Sequence, residues 1–383
     1  MRQKVSTLLF YVGLIFEIVV SFSGYAFGGF KEPVFIFAGM AFFALSICFD
    51  LELKKMWPWY AAAAVTGAAF YYFQHQALIL RILLPLLAGR KQNVKKVVRL
   101  FFWGTLAITV CTAVLSFFGK GNALSVTNVF RHEEETRYQF GFIHPNAFAF
   151  FWFRIILLGL YGYNTTLQKG VWKRVVYYGI AVLALLPLYF AYSKTALVLS
   201  AASIMGVLLC DCIPWKGFRK ILLGGGGILM TLEIFILYSS MTWFFLDSVN
   251  SVFLQKVWWF FNNVTTGRTH MIHTLYERLH PAIMGTGIGS DGTEVGFVNA
   301  LYNQGIIFVV IYVCILGYAF YRMYKENNRV GMILILAFTF YASAEPFLPY
   351  FNKNGVWLML IGLCYNGYRE NQKGEKDESS SSH

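Results

Sequence analysis

Two stretches of this 383-residue chain concentrate the side chains that could do chemistry. The first begins with Arg131, His132, Glu133, Glu134, Glu135 and Arg137 and runs into His144-Pro145-Asn146. Pro145 suits the first turn of a helix, where its missing N–H costs nothing, so His144 is expected at the mouth of a helix. The second contains Trp258 and Trp259, then Arg268, His270, His273, Glu277, Arg278, His280 and Pro281, then Gly285-Thr-Gly-Ile-Gly289, Asp291 and Glu294. Positions 270, 273, 277 and 280 share one helical face, which reads as a polar wall lining a wet cleft. The two-histidine zinc-protease spacing is absent, so no metal is expected. The Gly-rich run has no Lys after it and reads as a tight turn, not a nucleotide loop. Between the two stretches, Tyr192-Ser193-Lys194-Thr195 puts a cation at a helix start, where phosphate or pyrophosphate is the natural guest. The Trp pair 258/259 stacks on sugars or anchors its segment in the membrane interface.

These groups must be positioned by a very apolar scaffold. Hydrophobic residues make up 57% of the chain and charged ones only 13%, which excludes an ordinary soluble fold. A span needs about 20 apolar residues. Candidate spans lie at 6–27, 33–50, 57–73, 76–89, 99–118, 144–162, 175–191, 195–211, 219–240, 295–320, 331–347 and 354–368. The fold class is therefore an all-α polytopic membrane protein with about twelve transmembrane helices. Residues 1–368 form one domain with long loops at 119–143 and 241–294, and 369–383 form a polar, disordered tail.

The net charge of +13 does not point to nucleic acid, because the cations sit in short clusters between apolar runs. With both termini cytoplasmic, 21 of the 32 Lys and Arg fall on the cytoplasmic side and nine outside. That orientation puts both long loops, and six of the seven histidines, on the outer face. Arg154 lies within a span, where a cation is costly and calls for a cavity or an acid such as Glu17 or Glu233. The six cysteines fall in spans or at their ends and form no disulfide framework.

The ordered set of motifs resembles the O-antigen polymerase and O-antigen ligase superfamily, the Wzy-type polysaccharide polymerases of bacterial membranes. Four stretches carry the likeness: Gly141-Phe-Ile-His144-Pro145-Asn146; Ser193-Lys194-Thr195-Ala196; Gly267-Arg268 with Tyr276, Pro281 and Gly285-x-Gly287-x-Gly289; and Asn299-Ala-Leu-Tyr302 leading to Gly305, with Ser343-x-Glu345 beyond. The likeness covers most of residues 80–368. It differs at Lys194, where the family customarily has Arg, and at Asp291-Gly-Thr-Glu294, where the ligase branch has a His-Asn pair.

The resemblance implies a GT-C-like helical arrangement. It implies an enzyme of the cytoplasmic membrane, facing outside, that joins oligosaccharide units carried on undecaprenyl pyrophosphate. No cofactor is implied. The implied partners are the lipid-linked oligosaccharide, membrane lipids, a chain-length regulator and a flippase, with no nucleic acid. Arg268 and Lys194 are expected on the pyrophosphate, with Arg131 or Arg137 as a further clamp and Arg278, His280, Trp258 and Trp259 around the sugars. Glu294, Asp291, His144 or His280 would serve as base, Glu294 first. A glycan ligase and a lipid-linked oligosaccharide flippase are the competing readings.

Overall fold

The computed structural model describes residues 2–26, 32–50, 53–74, 77–130, 133–164, 170–212, 217–242, 268–285, 295–342, 345–347 and 350–361, with four isolated positions between 252 and 259. It is mostly helical. In chain order the helices are α1 (Arg2–Ala26), α2 (Glu32–Phe49), α3 (Leu53–Gln74), α4 (Leu78–Ala88), α5 (Val94–Phe117), α6 (Pro145–Tyr163), α7 (Val171–Leu183), α8 (Leu186–Phe190), α9 (Lys194–Cys212), α10 (Phe218–Thr242), α11 (Arg268–Arg278), α12 (Gly296–Gln304), α13 (Ile306–Lys325), α14 (Arg329–Ala342) and α15 over 355–361. Among the described residues, seven helical stretches are long and apolar enough to cross a membrane: 2–26, 32–49, 94–117, 145–163, 171–190, 194–211 and 306–325. Helices α2, α3, α7 and α9 turn Phe37, Trp57, Val65, Tyr72, Trp172, Ile180 and Val198 outward, each more than half exposed. Such an unbroken apolar exterior belongs in lipid, not water.

Two expected spans take a different form. The run 295–320 is not one helix. Gly305 adopts φ 91 and ψ 170, which ends α12 and starts α13. The short 76–89 run is an 11-residue helix, α4, with Pro85 inside it. At about 1.5 Å per residue it reaches only part-way across a bilayer. The segment before α6 also holds a two-stranded antiparallel hairpin, β1 (Ser125–Phe130) with β2 (Glu133–Tyr138), in which Thr127 faces Thr136.

α6 is the axis of the packing. Residues Phe148 to Leu158 are buried almost without interruption, Trp152 excepted. Its aromatic rings stack on both sides. Phe151 lies 4.1 Å from Phe22 of α1, and Phe150 lies 4.7 Å from Phe347 beyond α14. On the α1–α2 seam, Gly13 lets the Phe43 ring lie against the α1 backbone, since a Cβ there would meet the ring at 2.8 Å.

Two buried cations are resolved differently. Arg81 of α4 forms a two-pronged bond to Glu17 of α1, with Nη2–Oε2 at 2.9 Å and both side chains almost fully buried. That pair holds the short, charged α4 inside the bundle. Arg154 of α6 has no carboxylate in reach among the described residues; of the two candidate acids, Glu17 is committed to Arg81. Arg154 instead donates to the backbone carbonyl of Asn352, to Thr105 Oγ1 at 2.7 Å and to Ser21 Oγ at 3.4 Å. Phe151 and Phe22 cover its face at 5.1 and 6.0 Å. The side chain of Glu233, the other acid considered, lies outside the described residues.

Removing one partner of a buried ion pair strands the other, at about 3–5 kcal/mol, whereas an apolar replacement of both is tolerated. Glu17→Gln and Arg81→Leu are therefore each expected to lower the thermal unfolding midpoint in detergent markedly. The double variant Glu17→Leu/Arg81→Leu is expected to recover most of the loss.

Candidate functional site

At the end of the bundle where α6 begins, five separate parts of the chain meet. The first is the α6 mouth. His144 is the N-cap, in extended backbone, and its Nδ1 accepts the Asn146 N–H at 3.1 Å. A ring nitrogen that accepts carries no proton, which leaves any proton of the neutral ring on Nε2. His144 itself is exposed. The cap thus fixes the ring's orientation.

The hairpin is bolted to this mouth by Arg137. Its Nη2 donates to Asn146 Oδ1 at 2.8 Å, and Nε and Nη2 both donate to the Ala191 carbonyl at 3.2 Å. Arg137 therefore ties β2 to the start of α6 and to the turn before α9. That turn includes Tyr192 at φ 57, an uncommon value for a non-glycine residue. It delivers Ser193, buried, and Lys194, exposed, as the first residue of α9.

Tyr341, at the end of α14, is fully buried beside Ser193 and in the electrostatic field of Glu345 and Arg268. Arg268 opens α11. The backbone carbonyls of Ala342 and Glu345 are pressed against the start of α12, where a Cβ on Gly296 would stand 2.5 Å from each oxygen. On the opposite flank, Tyr25 of α1 accepts the Ile143 N–H at 2.9 Å and feels the charge of Glu345. Lys353 lies between the Tyr25 and Tyr350 rings, 4.6 and 4.7 Å from their centroids, with Nζ 3.3 Å from the Tyr25 hydroxyl. Burial pushes its ammonium down to about 8, with Arg81 and Arg154 acting in the same direction against Tyr350 and Glu32.

The structure thus brings His144, Arg137, Lys194 and Arg268 to one rim. Arg278 and His280 are exposed at and just beyond the end of α11, with His280 against Tyr276 at 4.8 Å. The polar face expected on α11 is partly realised: His273 Nε2 pairs with Glu277 Oε1 at 3.1 Å. The neighbouring face is apolar, with Ile272 and Leu275 packed on Val295, Val298 and Tyr302. Trp259 is exposed. Arg131, Trp258, Asp291 and Glu294 lie outside the described residues. Among the described residues no cluster of His, Cys, Asp or Glu has the makings of a metal site.

Sequence reasoning passed over Tyr341, Tyr25 and Lys353 as site residues. Lys353 carried a signal, as a lone cation between two asparagines in a short loop. The tyrosines carried none, being two of the 23 in the chain.

The Gly-rich turn works by close approach. Gly285 has φ 85, and a Cβ on it would stand 2.4 Å from the Asn303 carbonyl oxygen. A Cβ on Gly305 would meet Gly285 N at 2.4 Å. The contact lets Ala282 and Ile283 accept the Ile306 and Ile307 N–H groups at 3.1 and 3.2 Å, which satisfies donors that the start of α13 would otherwise leave bare.

No family model, curated protein or solved structure matches this chain.

Gly305 occupies backbone space open essentially only to glycine. Gly305→Ala is expected to destabilise by about 2 kcal/mol or more through strain alone, with the backbone clash in addition. Thermal unfolding of the purified protein measures it. A shift no larger than that of Gly317→Ala, a helical glycine with open space around it, would contradict the assignment.

Proposed function

We propose that this protein polymerises oligosaccharide units carried on undecaprenyl pyrophosphate, at the outer face of a bacterial cytoplasmic membrane. The observation that carries the reading is the convergence of His144, Lys194 and Arg268, spread over 124 residues of sequence, on one polar rim of an otherwise apolar bundle. The resemblance of the same stretches to Wzy-type polymerases names the substrate. The proposal includes about twelve spans, both termini cytoplasmic by the distribution of Lys and Arg, and a GT-C-like arrangement.

In the reaction, a hydroxyl of the acceptor unit attacks C1 of the donor sugar. The bond from C1 to the pyrophosphate oxygen breaks, and the lipid pyrophosphate departs with the electron pair. The negative charge that grows on that oxygen is what the enzyme must stabilise. Arg268 offers the two-pronged geometry suited to phosphate. Lys194 adds a point charge at the start of α9, where the helix dipole has the same sign. Arg137 acts one step removed: its bonds to Asn146 and Ala191 hold the His144 and Lys194 elements in register. The acceptor proton goes to Glu294, Asp291, His144 or His280. His144 can take it at Nε2 only from a tautomer in which its Asn146 hydrogen bond is remade, so a carboxylate, Glu294 first, is the favoured base. The chemistry itself calls for no nucleotide.

Loss of one charge-stabilising donor costs about 100-fold or more in rate. Cells carrying Arg268→Ala at normal protein abundance are expected to accumulate single lipid-linked units on the outer surface and to lose the glycan ladder, with Arg268→Lys intermediate. Units trapped inside would indicate a flippase. Long chains left on lipid would indicate a ligase. An unchanged ladder would remove Arg268 from the site.

A further inference from the structure

One cavity among the described residues does not open at the rim. It lies at the opposite end of α6, has a volume of about 440 Å³, and is lined by Lys95, Tyr161, Asn164, Glu326, Asn328 and Val330. We propose that this cavity binds a phosphate-bearing ligand.

Four features argue for an anion of that class. Lys95 is half-buried in the first turn of α5, and its ammonium makes no hydrogen bond or ion pair among the described residues. Arg99 follows one turn later on the same face, anchored by Nε to the Gly162 carbonyl at 2.8 Å and set over the Tyr163 ring at 5.0 Å. The one lining carboxylate, Glu326, already accepts from Arg322 at 3.1 Å, which leaves the Lys95 ammonium without an ion-pair partner among the described residues. The Tyr161 hydroxyl accepts from Asn328 Nδ2 at 3.1 Å, which leaves its own proton to donate. The donors therefore outnumber the acceptors, and a guest rich in acceptor oxygens matches them. The volume falls within the range of about 300–1,000 Å³ typical of small-molecule sites.

The same chemistry is offered by a free phosphate ester and by the headgroup of an anionic phospholipid, since the cavity lies at the start of α5, a helix long and apolar enough to cross a membrane. The site does not depend on the polymerase reading and is tested without activity. Full-length protein in detergent is titrated with inorganic phosphate and with glycerol 3-phosphate, following the thermal midpoint. The midpoint is also compared between nanodiscs of phosphatidylcholine and nanodiscs containing phosphatidylglycerol. Wild type and Lys95→Arg are expected to be stabilised by at least one probe. Lys95→Gln is expected to weaken that binding about tenfold or more, the loss of one charge-assisted bond. Tyr161→Phe is expected to weaken it less and provides a second, conservative variant. A response confined to phosphatidylglycerol assigns the headgroup, and a response to the soluble probes assigns a free phosphate ester. No response to any probe, or a Lys95→Gln response equal to wild type, overturns the proposal.

Discussion

A guanidinium buried in an apolar bundle without a carboxylate must be met by dipoles, and Arg154 sets that demand for the whole rim end of the molecule. Its neighbours supply one backbone carbonyl and two hydroxyls. The carbonyl belongs to Asn352, so the chain after α14 cannot pass over the surface. It must dip between α1, α5 and α6. Once there, Asn352 Nδ2 donates to the Glu17 carbonyl at 3.0 Å, and Asn354 bonds both Tyr312 and the Val356 N–H that opens α15. The neighbouring Lys353 is thereby carried into the slot between Tyr25 and Tyr350. One cation without a carboxylate thus fixes where three helices and a loop lie relative to one another.

That demand also separates the two buried arginines. The Glu17–Arg81 pair is self-contained, and an apolar pair of similar volume could in principle replace it. The Arg154 network is not. Its acceptors come from three different segments, so removing the cation leaves the Asn352 carbonyl and Thr105 without their donor, and the loop loses its reason to enter the bundle. Polar groups buried in this way cost stability and favour one arrangement over its alternatives, and here the arrangement favoured is the one that brings α14, α1 and α6 together at the rim.

The membrane class and most helices were legible in the sequence, because runs of apolar residues bounded by cations have few other readings. The His144-Pro145-Asn146 helix start was legible for the same local reason, as proline restricts the backbone on both sides. What was not legible depended on distant partners. Nothing local distinguishes Glu17 paired with Arg81 from Glu17 paired with Arg154. The hydropathy of 295–320 runs on through Gly305, and only its contact with Gly285, twenty residues earlier, shows why the helix breaks there. The α11 face was half legible: the spacing of His273 and Glu277 put them on one polar face, where they pair, but Ile272 and Leu275 find their partners only on α12.

The break at Gly305 bears on the rim as well as on the fold. An unbroken helix over 295–320 would have a single axis, and α12 would then be carried wherever packing in the apolar part directs α13. Breaking the helix frees α12 to lie with Val295, Val298 and Tyr302 on α11 and with Gly296 against the carbonyls of Ala342 and Glu345. α12 becomes the brace between the helix that begins with Arg268 and the segment that holds Glu345. The first N–H groups of α13 are not left bare by the break, because the carbonyls of Ala282 and Ile283 accept them. A polar, precisely spaced rim can therefore be built on apolar helices without burying unsatisfied backbone, at the cost of two glycines that no other residue replaces without strain.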